Sequence, residues 1–430
     1  MSLQIWFLTF IAMFALGYPV AFAIATSSML YIILEGIDPA VIVDQMAIHF
    51  QTQFVLVSIP LFIFAGRVMN EGNITSKIFG FANSLVGSLK GGLAHVNVVS
   101  SLIFSGMTGS ALADTSGVGY MATTAMEDEG FDSAFSCAVT AASSTVGPII
   151  PPSIPMVIYA SISGASTGYL FLGGILPGLI LGLVLMAYIW WVSKRRNYPA
   201  GEAFSLKNIW TKFIASFLPL LTPVILLGGI YSGVFTPTEA AAAASFYALI
   251  LTMLVYRVLG FKKLRNILKE VTLSTGYVAF IVAAAFLFSY VVAKEGIAVS
   301  AAEFVTSFEI MTNPIVLLFA INIMFLILGM FLDTMVVLVI VIPIFLPILQ
   351  AVGIDLVHFG VVAVFNLMIG LSTPPYGVNL FIISGLTETP LSKIFKEIIP
   401  FISVLLIALF LISFVPDIVL VLPELFGYLP

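Results

Sequence analysis

Long apolar runs alternate along this chain with short interruptions rich in glycine and proline. A helix needs roughly 20 apolar residues to cross a ~30 Å hydrocarbon layer. By that measure the pattern predicts full spans near 4–34, 47–70, 168–193, 213–232, 237–258, 271–293 and 399–422, the first bent at Gly17-Tyr18-Pro19. Two further stretches, 93–163 and 313–386, are apolar throughout but do not divide into clean spans. Their interruptions are Gly106-Met107-Thr108-Gly109-Ser110, Gly147-Pro148-Ile149-Ile150-Pro151-Pro152, Gly329-Met330-Phe331-Leu332-Asp333 and Gly370-Leu371-Ser372-Thr373-Pro374-Pro375. Proline and glycine at that density stop helices and leave backbone groups unpaired. At membrane depth such backbone survives only where protein or a polar cavity satisfies it, so function is expected at these four breaks.

The breaks repeat. A step of 223 residues carries Gly106 to Gly329, Gly147 to Gly370, Pro151 to Pro374 and Pro152 to Pro375. It also carries Gly130-Phe131-Asp132 to Gly353-Ile354-Asp355 and Ser161 to Ser384. With one residue of slippage, Phe62-Ile63-Phe64 meets Phe286-Leu287-Phe288, and Glu71-Gly72 meets Glu295-Gly296. An internal duplication follows, with repeats at 13–193 and 237–416 and 213–232 as an unpaired linker helix.

Loop charge argues that the copies are inverted. The amphipathic stretch 74–92 carries Lys77 and Lys90, whereas its counterpart 297–312 carries Glu303 and Glu309. The loop closing the first repeat holds Lys194, Arg195, Arg196, Lys207 and Lys212; the tail closing the second holds Asp417 and Glu424. Under the positive-inside rule, corresponding points lie on opposite faces. Arg257, Lys262, Lys263, Arg265, Lys269, Lys393 and Lys396 then fall inside. Span counting agrees if 93–126 and 313–350 are re-entrant hairpins with tips at Gly106–Ser110 and Gly329–Asp333. The acidic cluster Glu127, Asp128, Glu129 then lands inside, although acidic residues weigh little in the rule.

Composition narrows the class. Of 430 residues 60% are apolar and 9% charged, against about 25% charged in an average soluble protein; mean hydropathy is +1.16. The expected fold is an all-α polytopic membrane protein: two inverted repeats with two re-entrant helical hairpins and two broken helices. The net charge of −5, without a basic run, gives no reason to expect nucleic acid as a partner. A single cysteine, Cys137, excludes an internal disulfide and a cysteine-based metal cage. His49, His95 and His358 form no paired metal motif, so a metalloenzyme is not expected and the three read as interfacial or packing residues. The stretch from Ile5 to Leu34 has no basic leader and reads as a retained span.

Inverted repeats whose broken helices meet near the midplane describe a secondary transporter. Free helix N-termini favour anions and free carbonyls favour cations, so such a site can hold a small alkali ion beside a carboxylate. The breaks offer Ser105, Thr108, Ser110, Ser143, Ser144 and Thr145 in the first repeat, and Asp333, Thr334, Ser372, Thr373 and Asn379 in the second. Any one of these hydroxyls could instead cap a helix or ease close packing; the clusters at matched breaks favour ion binding. Asp333 is the sole charged side chain from Ile310 to Ile354, and a carboxylate at that depth is a functional candidate by default. Asp114, the sole charge between Lys90 and Glu127, reads either as a ligand or as a hydrogen-bonding partner of the hairpin backbone. Arg67 and Lys294 end the spans before each arm and either draw in an anion or snorkel. Arg67 is favoured for the anion because its span also carries Gln51, Gln53 and Ser58. His95 and Ser110 lack the elbow and third group of a serine hydrolase. Thr236-Pro237-Thr238-Glu239 reads as a capping box opening a helix.

The segment Gly233-Val234-Phe235-Thr236-Pro237-Thr238-Glu239-Ala240-Ala241 resembles a signature of the large membrane subunit of TRAP (tripartite ATP-independent periplasmic) transporters, the DctM or SiaM type. Phe104–Ser110, the Gly147–Ser153 break, Asp333 and the Gly370–Tyr376 break match as well, so the resemblance covers essentially the whole chain. It implies a sodium-driven importer of organic acids in the bacterial inner membrane, with an elevator-type fold and no cofactor beyond sodium as coupling ion. The implied partners are a small four-helix membrane subunit and a periplasmic substrate-binding protein that delivers the organic acid. The chain begins directly with the large-subunit pattern, so no fused small subunit is expected. The implied sodium ligands are Ser105, Gly106, Ser110, Ser144, Thr145 and Gly147, then Gly329, Asp333, Thr334, Gly370, Ser372 and Thr373. The substrate positions are Arg67, Thr108, Ser153 and Asn379, and the substrate leans towards sialic acid over a C4-dicarboxylate. The expected layout is scaffold spans and first arm at 1–92, half of the transport core at 93–163, and scaffold, linker helix and second arm at 164–312. The second core half is expected at 313–386, and a last arm or span with a periplasmic tail at 387–430. The competing readings are a passive organic-anion channel and an intramembrane hydrolase.

Overall fold

The computed structural model describes residues 2–72, 74–201 and 203–429; the side chain of His49 lies outside that description. Among the described residues the secondary structure is helical, apart from one isolated bridge between Lys90 and Ala200. Among the described residues, eight helices are long and apolar enough to cross a membrane: Phe54–Glu71, Thr167–Arg196, Leu206–Tyr231, Pro237–Val255, Phe261–Lys294, Pro314–Phe331, Thr334–Val352 and Leu391–Phe414.

The largest departure from the sequence pattern is at the start. Residues 4–34 are not one bent span but two helices, Ser2–Ala15 and Val20–Leu34. Gly17 adopts φ +82° and Pro19 precedes the second helix, so the chain reverses. Trp6 Nε1 donates to Ser28 Oγ at 3.3 Å, and Ser2 Oγ donates to Glu35, which makes the pair antiparallel. The hairpin lies on Phe261–Lys294 through Trp6 against Phe288 (5.1 Å), Phe22 against Phe280 (4.8 Å) and a Tyr31–Glu295 hydrogen bond.

Other boundaries shift for local reasons. The span expected at 47–70 is Phe54–Glu71; a separate helix, Ala40–Thr52, ends at Gln53. Gln51 therefore sits on a different helix from Arg67. Its counterpart in the second half, Phe261–Lys294, runs 34 residues unbroken, about 51 Å at 1.5 Å per residue. The last span is Leu391–Phe414, and a short helix Asp417–Leu425 follows Pro416. The arm helices are Ile74–Val86 and Ile297–Thr306. At Thr236 the expected capping box is complete: Glu239 N donates to Thr236 Oγ1 at 3.3 Å and Thr236 N to Glu239 Oε2 at 2.8 Å.

The step of 223 residues is visible in the helices. Gly92–Thr108 matches Pro314–Phe331, Ser133–Ser143 matches the start of Leu356–Leu371, and Ile154–Ser163 matches Val378–Thr387. The second arms of the hairpins differ: Thr334–Val352 is continuous, whereas Ala111–Asp128 passes through a wide turn at Thr115–Gly119. Both breaks contain a cis proline bond, Pro151-Pro152 and Pro374-Pro375.

Each broken helix is also tied at its start. Tyr198 Oη donates to Asp132 Oδ2 at 2.5 Å, and Tyr428 Oη donates to Asp355 Oδ2 at 2.7 Å. The two aspartates are one repeat step apart, and each tyrosine follows the span that succeeds its broken helix. Arg196 joins the first tie through Glu397 (2.9 Å) and Asp132 (3.7 Å). Thr167–Arg196 packs on Gly92–Thr108 and Leu356–Leu371, and Leu391–Phe414 packs on Ser133–Ser143 and Leu356–Leu371.

Candidate transport site

The first hairpin turns at Gly109-Ser110, three residues beyond Gly106, which remains helical. Gly109 has φ +60°, and a Cβ there would sit 2.3 Å from Pro152 O, so the tip rests on the first break. The second hairpin turns at Leu332-Asp333, after Gly329. A Cβ on Gly370 would meet the Gly329 backbone at 2.6–2.9 Å, so this tip rests on the second break, backbone to backbone. Each tip thus faces the break of the helix that follows it.

The two breaks also touch each other. Asn379 Nδ2 donates to Ser144 Oγ and to Ser372 Oγ, both at 3.1 Å, and Ser372 Oγ donates to Ala141 O at 2.7 Å. Among the described residues, the buried oxygens Asn379 Oδ1, Thr334 Oγ1 and Thr108 Oγ1 have no hydrogen-bond partner. Oxygen atoms of this kind suit a hard cation better than a soft metal.

Ser110 and Asp333 cap the second arms of their hairpins: Ala113 N donates to Ser110 Oγ at 3.4 Å, and Met335 N to Asp333 Oδ1 at 2.9 Å. Both line one cavity of about 540 Å³. Its other wall comes from Phe54–Glu71, through Gly66, Arg67 and Asn70, and from Phe261–Lys294, through Ser274 and Tyr277. Arg67 is also paired with Glu270 at 3.6 Å. A Cβ on Gly66 would lie 3.0 Å from Thr108 Cγ2, so the two walls meet closely beside the cavity.

The predicted positions therefore separate. Ser110, Asp333, Arg67 and Thr108 line the cavity. Ser144 and Ser372 meet through Asn379, Gly329 packs on Gly370, and Gly147 lies beside the first tip; none of these lines the cavity. Ser105, Thr145 and Thr373 spend their hydroxyls on carbonyls of their own helices, at Ser101, Ala142 and Ile369. Two of the expected substrate positions sit apart from the cavity. Ser153 caps Ile154–Ser163, accepting from Met156 N at 3.2 Å, and Asn379 is fully buried between the breaks; neither lines the cavity.

Asp114 is fully buried off the cavity, and neither carboxylate oxygen has a hydrogen-bond partner among the described residues, so it does not tie down the hairpin backbone. The Ser101 hydroxyl lies nearby. His95 is buried with neither ring nitrogen paired, and His358 contacts Ile412 O at 3.1 Å; these two are packing residues with no link to Ser110.

Sequence reading missed the bonds that fasten each hairpin to its broken helix. Ser143 Oγ donates to Asn97 Oδ1 at 3.1 Å, and Asn97 Nδ2 to Thr140 Oγ1 at 2.7 Å. One repeat step on from Ser143, Asn366 Nδ2 donates to Asn322 Oδ1 at 2.8 Å. The available signal was a lone asparagine inside an apolar helix, which in lipid needs an internal partner. Tyr277, Ser274, Asn70 and Ser116 on the cavity were missed too.

Residues 7–418 match the family described as tripartite ATP-independent periplasmic transporter, DctM component. The chain belongs to this family. It is 40% identical over 413 residues to the sialic acid TRAP transporter large permease protein SiaM of Vibrio cholerae, covering 96% of each chain. It is 37% identical over 374 residues to the C4-dicarboxylate TRAP transporter large permease protein DctM of Pseudomonas aeruginosa, covering 87% of each. In fold it is similar to the YdaH transporter of Alcanivorax borkumensis, with a TM-score of 0.62 at 13% identity, over 85% of this chain and 86% of that one. The TRAP large permease is thus a multi-pass membrane protein of a transport family and not an enzyme, which sets the hydrolase reading aside.

Proposed function

We propose that this permease imports a carboxylated organic acid across the bacterial inner membrane by sodium symport. The observation that carries the reading is the shared cavity: a carboxylate-bearing tip, Asp333, and a hydroxyl-bearing tip, Ser110, face one space of about 540 Å³. Between the two breaks Asn379 bridges Ser144 and Ser372. Sodium would be held around Ser105, Gly106, Ser110, Ser144, Thr145 and Gly147 in the first repeat, and around Gly329, Asp333, Thr334, Gly370, Ser372 and Thr373 in the second. The free oxygens of Thr334 and Asn379 support this, because a buried acceptor without a donor is costly unless a cation or water meets it.

The repeats are read as inverted, with the hairpins re-entering from opposite faces, and transport as an elevator movement of the core against the scaffold. Support comes from loop charge and from the close approach of Phe54–Glu71 to the first tip at Gly66 and Thr108. The core is widened from 93–163 and 313–386 to include Thr167–Arg196 and Leu391–Phe414, since both pack on the broken helices and the tyrosine ties follow them. Its partners are a small four-helix membrane subunit and a periplasmic binding protein. Sialic acid is the preferred substrate class, on the 40% identity to a sialic acid permease, with a C4-dicarboxylate next.

Uptake of labelled N-acetylneuraminate and succinate is measured in proteoliposomes holding both membrane subunits, with the binding protein and with or without a sodium gradient. Sodium-driven accumulation of one acid is expected. Uptake indifferent to the gradient would replace symport with a passive anion channel.

A further inference from the structure

Arg67 is the one cationic side chain, and Asp333 the one carboxylate, among the described residues lining the cavity. Arg67 is not free: Glu270 Oε2 lies 3.6 Å from its Nη1, and both side chains are about half exposed, at 45% and 55%. That spacing is long for a charge-assisted hydrogen bond, and water reaches both partners, so the pair can exchange. It lies toward the basic end of the molecule. Glu270 is nine residues into Phe261–Lys294, whose first turns carry Lys262, Lys263, Arg265 and Lys269. Arg67 closes Phe54–Glu71 just before Ile74–Val86, whose Lys77 stands 3.6 Å over the Tyr256 ring. By the positive-inside rule this is the cytoplasmic mouth of the cavity.

We propose that Arg67 is an anion station at that mouth and that Glu270 is its tethered competitor, which keeps the station from trapping the departing acid. The inference rests on reading the cavity as the passage of an organic anion. A carboxylate leaving the tips moves away from Asp333 and meets Arg67. An unopposed guanidinium would bind it in a forked pair and delay release. Glu270 holds a rival carboxylate within reach at high effective concentration, so the substrate engages Arg67 briefly and is displaced.

The test begins with the charge at the mouth, independent of which acid is carried. Ser116 is exposed on the cavity wall, and the adjacent Gly117 lies beside Asn70, one turn from Arg67. In the two-subunit complex with buried Cys137 changed to alanine, Ser116→Cys is labelled with an anionic sulfonatoethyl and a cationic trimethylammonioethyl methanethiosulfonate. Glu270→Gln should raise the anionic-to-cationic rate ratio several-fold, Arg67→Gln should lower it, and the double variant should return near the parent. Next, efflux of preloaded N-acetylneuraminate and succinate is followed. Glu270→Gln should slow the transported acid several-fold, and Arg67→Gln with Glu270→Gln should recover. An unchanged labelling ratio in Glu270→Gln, or efflux as fast as the parent's, overturns the proposal. Failure of the parent to move either acid counts against the transport reading and leaves the labelling result to decide the charge at the mouth.

Discussion

Asn379 donates its side-chain amide to Ser144 Oγ at 3.1 Å across 235 positions of sequence. A second bond from the same nitrogen, to Ser372 Oγ, makes one residue the clasp between two interrupted helices. Replacing Asn379 with leucine would remove the donor both hydroxyls accept from, leaving each only its own bond to Ala141 O, at a cost of roughly 1–3 kcal/mol for the two lost bonds. Thermal unfolding of the purified complex should show the loss, and sodium-driven uptake should fall with it. Wild-type stability in that variant would mean the breaks are held together by something else.

Asp333 combines a cap and a charge, and two substitutions separate them. Asparagine can still accept from Met335 N, so Asp333→Asn should unfold close to the parent while transport is abolished. Asp333→Ala should lose transport and about 0.5–2 kcal/mol of stability as well. Full uptake by the asparagine variant would remove the carboxylate from the mechanism.

Gly370→Ala would push a methyl to 2.6–2.9 Å from the Gly329 backbone, where no flexible side chain can yield. We expect a cost of about 1–3 kcal/mol, typical of overpacking, with loss of uptake. Gly228→Ala on Leu206–Tyr231 is the control: a Cβ there meets nothing within 4 Å. It should be neutral or raise the melting temperature slightly.

Sodium that binds the folded protein should stabilise it by mass action, about 2.7 kcal/mol at a hundredfold excess over the dissociation constant. Melting temperature in sodium should exceed that in choline at equal ionic strength. Ser144→Ala combined with Ser372→Ala should shrink the difference.

The Tyr198 phenol is pushed up to about 12, first by burial and then by its hydrogen bond to Asp132. A raised value means the folded state favours the protonated phenol. Its contribution is therefore complete below the ordinary value near 10 and is lost as pH climbs through about 12. Tyr198→Phe should flatten that alkaline limb of a stability–pH curve; an unchanged limb would assign it to another group.

Much of this was legible because apolar run length and proline position are local signals. The four breaks, the repeat step and the capping box at Thr236 were all readable in this way. The turn at Gly109-Ser110 rather than Gly106 was less so, because glycine within a helix is tolerated when a neighbouring helix presses against it; at Gly106 a Cβ would lie 3.0 Å from Pro223 of Leu206–Tyr231. Side-chain destinations were not readable at all. Ser153 and Asn379 look alike in sequence as polar residues after a break, yet one caps a helix and the other joins two halves of the chain. The cavity wall at Tyr277 and Ser274 arises from a helix whose sequence shows only an ordinary span.

The contact of Ser2 with Glu35 bears on how compartments are assigned along this chain. Two antiparallel helices cancel each other's crossing, so a phosphatase or fluorescent reporter joined ahead of Ser2 should register the same compartment as one inserted at Gly36. A lone 4–34 span would put those reporters in different compartments.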